Sequence, residues 1–255
     1  MGLPKALLLK NKTTPIDAYE SDFQQNDYDP VFIPLIQHKH LPTECLNLLK
    51  DEAYLSQLQT IVISSQRTVE CLNESIIPNL SEYQRKALLQ KTVYTVGPAT
   101  ANFLQRCGFT NIRGGEHAGS GSILAELIIS DLGSQAIEFS KVPSILLLVG
   151  ETRRDIVPKR LTSVGITSQE VVTYKTQVQD DNLARFKLHF SPQCWVVFFS
   201  PQGTEEIIEY LKDQEVNIAS IGPTTNDFLC SRNVHSKVVS CKPEPKALVQ
   251  ALKLA

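Results

Sequence analysis

The sequence predicts two similar α/β units, each a doubly wound parallel sheet with helices over both faces. Three observations carry this prediction. Short apolar runs alternate with amphipathic segments along the whole chain, joined by brief connections, which is the pattern of βαβ units. The run Ser144–Val149 is almost wholly apolar, as expected of a strand covered on both faces. Several stretches also occur twice. Val96-Gly97-Pro98-Ala99-Thr100 is echoed by Ile221-Gly222-Pro223-Thr224-Thr225, Thr60–Arg67 by Trp195–Gln202, and Lys5–Lys10 by Ile145–Gly150. A diverged duplication of one small fold accounts for all three pairs.

Taken in order, Lys5–Lys10 reads as the first strand, and the Thr13-Thr14-Pro15 turn opens a helix to about Gln25. Pro30 and Pro34 forbid a helix across Tyr28–Ile36 and disfavour a central strand, so a peripheral extended connector is predicted there. Helical signals run from Leu41 to Gln57, and the strand Thr60–Ser64 ends in Ser65-Gln66-Arg67. Arg67–Ile77 reads as a helix closed by Pro78. Ser81–Gln90 reads as another, opened by a serine cap, with Tyr83 and Leu88 on its apolar side. The first glycine turn and its helix follow the strand Thr92–Val96. Phe109–Ile112 is then a short strand, and Gly114, Gly115, Gly119 and Gly121 punctuate the loop after it. Ser122 opens a helix to about Leu132.

The strand Ser144–Val149 ends at Gly150-Glu151-Thr152-Arg153-Arg154, with a helix to about Ser163. Gln169–Thr176 is β-branched and free of turn residues, an extended partner in the repeat for residues 31–36. Strand Gln193–Phe199, helix Thr204–Gln214 with Ile207, Ile208 and Leu211 on one face, and the second glycine turn come next. Strand Lys237–Ser240 and helix Lys246–Leu254 complete the chain. In each glycine turn the glycine tolerates the bend, the proline fixes φ beside it, and the threonines are expected to cap the new helix through their hydroxyls. Unpaired N–H groups at such a turn favour an anion.

A length of 255 residues suits one large domain or two of roughly 100–150 residues. With 42% hydrophobic and 20% charged residues the composition is that of a soluble globular chain. A net charge of −2 and the lack of any basic run exclude a general nucleic-acid binder. The six cysteines form no C-x-x-C pair and the five histidines are scattered, so reduced thiols and no metal are expected. Leu7-Leu8-Leu9 is followed at once by Lys10 and Lys12, which does not fit a signal peptide. Ala6 fails the myristoylation pattern, and no apolar run approaches membrane-spanning length. A cytoplasmic monomer without a membrane partner is expected.

Ligands of doubly wound sheets sit beyond the carboxyl ends of the strands. Those ends hold Lys10-Asn11, Ser64-Ser65, Gly97–Thr100, Gly150–Thr152, Ser200–Gln202 and Gly222–Thr225. Apart from Glu151 they contain no carboxylate, and they contain no histidine or cysteine. Hydrolases, phosphoryl transferases and metal enzymes need a base, an activated nucleophile or ligands here. No G-x-x-x-x-G-K-[ST] occurs, and no G-x-G-x-x-G opens a helix after a strand, which disfavours a flavodoxin-like nucleotide enzyme. The remaining donors suit a multiply anionic ligand gripped through N–H and O–H groups. Tyr174 is the one phenol in a connector that can face such a site. Its competing role is packing, as capping is for the threonines and a solvated helix start for Arg153 and Arg154. An enzyme and a non-catalytic two-domain binding protein for a polyanionic small ligand fit these residues equally.

At the same positions the chain resembles the uroporphyrinogen-III synthase family. The resemblance rests on Ile63–Val69, Val96–Ala101, Gly150–Pro158, Val172–Thr176, Phe198–Gly203, Ile221–Thr225 and Pro243–Leu248, in the family's order over nearly the whole chain. It implies two flavodoxin-like α/β domains joined by a two-stranded β connector made near 31–36 and 170–176. Residues 1–35 with 176–255 would form one domain and 36–169 the other. It implies a hydro-lyase that closes hydroxymethylbilane to uroporphyrinogen III, with loss of water and inversion of ring D, without metal or cofactor. The family's catalytic tyrosine falls on Tyr174, a phenol able to donate toward the leaving oxygen. Its substrate contacts fall on Ser65, Arg67, Thr100, Arg154, Ser200, Thr224 and Thr225. Ser64 and Gln66 replace a threonine and proline often found beside that serine, and Asn217 stands where some members carry lysine.

Overall fold

The computed structural model describes residues 2–13, 16–133 and 145–255. Thr14 and Pro15 of the predicted first turn, and Ser144 at the head of a predicted strand, lie outside the described residues. The elements begin with β1 (Lys5–Leu9), α1 (Ala18–Gln25), β2 (Asp29–Phe32), β3 (Ile36–His40), α2 (Thr43–Lys50), α3 (Glu52–Gln57) and β4 (Thr60–Ile63). Next come α4 (Gln66–Cys71), α5 (Glu82–Leu89), β5 (Thr92–Val96), α6 (Pro98–Arg106), β6 (Asn111–Gly115) and α7 (Gly121–Leu132). Then follow β7 (Ile145–Gly150), α8 (Ile156–Ser163), β8 (Gln169–Val178), α9 (Asn182–His189), β9 (Trp195–Phe198) and α10 (Glu205–Leu211). The chain ends with β10 (Asn217–Ser220), α11 (Pro223–Ser231), β11 (Val238–Val239) and α12 (Pro245–Lys253).

The chain divides into two compact units, residues 1–37 with 177–255 and residues 38–176. The first holds a five-stranded sheet in the order β11-β10-β9-β1-β2, its neighbours all paired in parallel. Numbered by chain order within the unit this is 2-1-3-4-5, the flavodoxin order. Its two faces are covered separately because successive side chains of a strand alternate. Leu7 and Leu9 of β1 pack with Phe186, Ile207, Ile208, Leu211 and Leu229, while Ala6 and Leu8 pack with Phe23, Leu248 and Leu252.

The second sheet runs β3-β8-β7-β4-β5-β6. Dropping β3 leaves β8-β7-β4-β5-β6, which becomes 2-1-3-4-5 when β7 is counted first. The second unit is therefore a circular permutation of the first, with β7 standing for β1, β8 for β2, β4 for β9 and β5 for β10. The repeats matched β1 with β7, β4 with β9 and β5 with β10. Ile61, Ile63, Leu146 and Leu148 pack under α2 to α6, and Val62, Tyr94, Ile145 and Leu147 under α7 and α8.

Several details depart from the sequence reading. Residues 29–32 of the supposed connector form β2, where Pro30 is tolerated because β2 is a sheet edge. The extended segment paired with β8 is β3, at Ile36–His40. Gly114 and Gly115 belong to β6 rather than to the loop, at φ +88° and +58°. The cap of α5 is a full capping box from Ser81, but Tyr83 is 62% exposed and only Leu88 is buried. The threonines cap neither glycine-turn helix. Gly97 and Gly222 occupy those cap positions, with no side-chain hydrogen bond. The helix α9 had no counterpart in the reading.

Candidate active site

A doubly wound sheet offers a crevice where neighbouring strands send the chain off in opposite directions. In the second unit that point lies between β7, whose chain continues to β8, and β4, whose chain continues to β5 on the other side. A cavity of about 470 Å³ opens there. It is lined by Ser64 and Ser65 beyond β4, Gly150 and Thr152 at the end of β7, Tyr174 of β8, the Ser120-Gly121 start of α7, and Arg153 and Arg154.

Each side chain is held by its local structure. Ser65 is the cap of α4, its extended backbone at φ −130° letting Oγ accept from the Arg67 N–H at 3.2 Å. The same Oγ lies 3.0 Å from the Tyr174 hydroxyl. Tyr174 is half-buried, on the opposite side of its strand from the buried Val171 and Thr173. A bulge between Val149 and Gly150 sets its position: Val149 pairs with Val172, but Gly150 pairs with Tyr174, leaving Thr173 as the extra residue. The Glu151 N–H then bonds the Tyr174 carbonyl at 3.0 Å. On the outer side of β8, His38 meets the Tyr174 ring edge-on, at 6.1 Å between centroids, and shares a 3.0 Å hydrogen bond with the Thr176 hydroxyl. Burial first, and then the charge of Arg67, hold the His38 imidazole below its ordinary value, which favours the neutral ring.

The cations differ in availability. Arg153 is tied to Glu170 at 3.0 Å and to Asp155 at 3.6 Å. Arg154 is exposed and lines the cavity with no ion-pair partner among the described residues. Arg67 is engaged by Glu70 at 2.7 Å and 2.8 Å. Burial pushes the Cys45 thiol up to about 12 and Cys71 to about 11, so both stay protonated near neutral pH.

Of the residues singled out by sequence, Tyr174, Ser65 and Arg154 come together on this cavity. Arg67 and Thr100 belong to the same unit but not to its lining; Thr100 is buried in the first turn of α6. Ser200 is exposed just past β9, and Thr224 and Thr225 form the first turn of α11, exposed and buried respectively, all in the first unit. The sequence reading missed three features. The closure of the cavity by Ser120-Gly121 and the Arg153–Glu170 pair join residues far apart in the chain, with no local signal. The third is the first unit's own switch point, between β1 and β9, where Lys10 bonds the buried Asp17 and lies over Tyr19, Phe32 and Phe199. That cluster was legible only as a lysine at a strand end.

Two permuted copies of a doubly wound sheet, one holding at its switch point a phenol, hydroxyls and a guanidinium that has no ion-pair partner among the described residues, define a two-unit doubly wound α/β protein. Comparison with known proteins narrows the class. The profile of the uroporphyrinogen-III synthase family matches residues 17–250. A uroporphyrinogen-III synthase of Saccharomyces cerevisiae is 51% identical over 265 residues, covering 98% of this chain and 96% of that protein. One of Schizosaccharomyces pombe is 33% identical, covering 97% and 95%. The chain belongs to the uroporphyrinogen-III synthase family. The crystal structure of the Helicobacter pylori uroporphyrinogen-III synthetase shares the fold, with a TM-score of 0.59 at 17% identity over 98% of this chain and 100% of that one. Among the described residues no helix is long and apolar enough to cross a membrane, and no group of three or more His, Cys, Asp or Glu is placed to hold a metal ion.

Proposed function

We propose that this chain is a uroporphyrinogen-III synthase, converting hydroxymethylbilane to uroporphyrinogen III with loss of water and inversion of ring D. The observation that carries the reading within the site is the Tyr174 hydroxyl, 3.0 Å from Ser65 Oγ, on a cavity whose lining includes Arg154, which has no ion-pair partner among the described residues. Membership of the family supports the substrate.

In this reading Tyr174 is the general acid. Its proton passes to the terminal hydroxyl of the bilane, the C–O bond breaks and water departs. Closure forms a carbon–carbon bond from the freed terminal methylene to the α-carbon of ring D that already carries the methylene bridge. The bond from that carbon to the bridge then breaks, and the bridge carbon joins the ring's other α-carbon, so that the ring is inverted. The proton lost from that second carbon restores the phenol. The step is balanced without an oxidant or reductant. Ser65 orients the phenol, and Arg154 takes a substrate carboxylate. Arg67, Thr100, Ser200, Thr224 and Thr225 are the further proposed contacts. Cofactor independence is part of the proposal: the donors are hydroxyls, backbone N–H groups and a guanidinium, and the substrate carries its own leaving group. Most of the rate enhancement then comes from holding one conformer of a flexible chain.

Incubation with freshly generated hydroxymethylbilane tests this. Type III product above the spontaneous type I background supports the synthase. An unchanged isomer ratio, with the bilane nonetheless bound, leaves a binding protein instead.

A further inference from the structure

The phenol of Tyr174 reaches Ser65 only by crossing a strand end. Tyr174 is on β8 and Ser65 follows β4, and β7 lies between them. The phenol, its 3.0 Å hydrogen bond and the Ser65 side chain together span two strand spacings, roughly 9–10 Å, with the ring passing over the last residue of β7. That residue is Gly150, which is itself buried. A Cβ there would stand 2.6 Å from Cζ, 2.7 Å from the hydroxyl oxygen and 2.9 Å from Cε1 of Tyr174. All three atoms belong to the outer part of the ring and none to backbone. An alanine would therefore push the ring aside at little cost to the fold, while moving the hydroxyl off Ser65.

A second contact fixes the same register from behind. The fully buried Thr173, the extra residue of the bulge, donates its hydroxyl to the Val149 carbonyl at 3.1 Å and lies 3.2 Å from the Thr68 hydroxyl on α4. Its own carbonyl accepts from the Leu41 N–H at 2.7 Å. Strand, helix and connector thus converge on the residue before Tyr174.

We propose that Gly150 is a positioning residue for the Tyr174 phenol, kept without a side chain so that the ring can lie across the end of β7, with Thr173 and Thr68 holding the bulge that aims it. This rests on the reading of Tyr174 as proton donor. It assigns Gly150 no contact with substrate, so its loss acts on turnover rather than binding.

The test measures kcat, KM and the urea midpoint for Gly150→Ala, Tyr174→Phe, Thr173→Val and Thr173→Ser. A displacement of about 1 Å is expected to lower kcat about 10²-fold. Gly150→Ala should show that loss with KM and midpoint close to wild type. Thr173→Val should also lower kcat, and Thr173→Ser, which keeps the hydroxyl, should restore it. Loss in Tyr174→Phe with wild-type kcat in Gly150→Ala and Thr173→Val overturns this inference alone. Wild-type turnover in Tyr174→Phe overturns the reading of the phenol and this inference with it. Should Gly150→Ala not fold, the Thr173 pair decides.

Discussion

Ser65 has two tasks that a mutant cycle can separate. Its Oγ accepts from the Arg67 N–H as the cap of α4 and bonds the Tyr174 hydroxyl. Loss of the cap in Ser65→Ala costs about 1 kcal/mol. The hydrogen bond to Tyr174 adds about 0.5–1 kcal/mol, the lower part of the usual net range because the phenol is only half-buried. The sum, roughly 1.5–2 kcal/mol, corresponds to a Tm lower by about 3–8 °C at 2–4 °C per kcal/mol for a protein of this size. In the Tyr174→Phe background only the cap remains to be lost, so the two substitutions couple by about 0.5–1 kcal/mol. Kinetics should couple more strongly. Removal of a general acid lowers kcat about 10²–10⁴-fold, whereas Ser65→Ala leaves the acid present but unaimed and should lose less. In the Phe background Ser65→Ala should lower kcat no further. Thermal melts and steady-state kinetics on the four proteins supply both cycles. An equal kcat loss from Ser65→Ala in both backgrounds would refute the claim that Ser65 acts through the phenol.

The other predictions concern the anchors and the rim. Asp17 is 1% exposed, and although burial alone would raise its carboxyl, hydrogen bonds from Lys10, Thr13 and Tyr19 hold it below its ordinary 3.8. A depressed folded value means stability that is present above the unfolded value and lost as pH falls through the folded one. Asp17→Asn should therefore cost about 3 kcal/mol at pH 7 in urea titrations, with the gap to wild type closing below about pH 4; a gap that stays constant down to pH 3 contradicts it. Arg154→Gln should raise KM about fivefold, roughly 1 kcal/mol for an exposed pair, with kcat retained; an unchanged KM removes Arg154 from the carboxylate contacts. Gly114→Ala, at φ +88° and with its new methyl against the Thr95 carbonyl, should lose at least about 2 kcal/mol, and a wild-type melt would show that β6 relaxes freely.

What the sequence disclosed followed from local pattern. Apolar runs such as Ile145–Gly150 and Trp195–Phe198 declared themselves as strands because both faces of each sheet are covered. The repeats paired β1 with β7 and β4 with β9 because equivalent strand ends keep equivalent turns. Local pattern also misled. Glycines read as loop at 114 and 115, although a strand edge beside α6 accepts them. Threonine hydroxyls read as caps, although glycine backbone fills those positions. The path of the Tyr174 ring was not legible at all. It depends on a one-residue bulge opposite Gly150 and on a helix hydroxyl from Thr68, and both are set by pairing between distant segments.

The central claim is that the bilane loses its hydroxyl at the switch point of the second unit, against Tyr174. A crystal structure with an unreactive bilane analogue tests it most directly. The account predicts the analogue's terminal substituent within hydrogen-bond reach of the Tyr174 hydroxyl, roughly 3 Å, with a carboxylate on Arg154. An analogue bound with that end turned away from Tyr174 and from the β4 and β7 ends would contradict it.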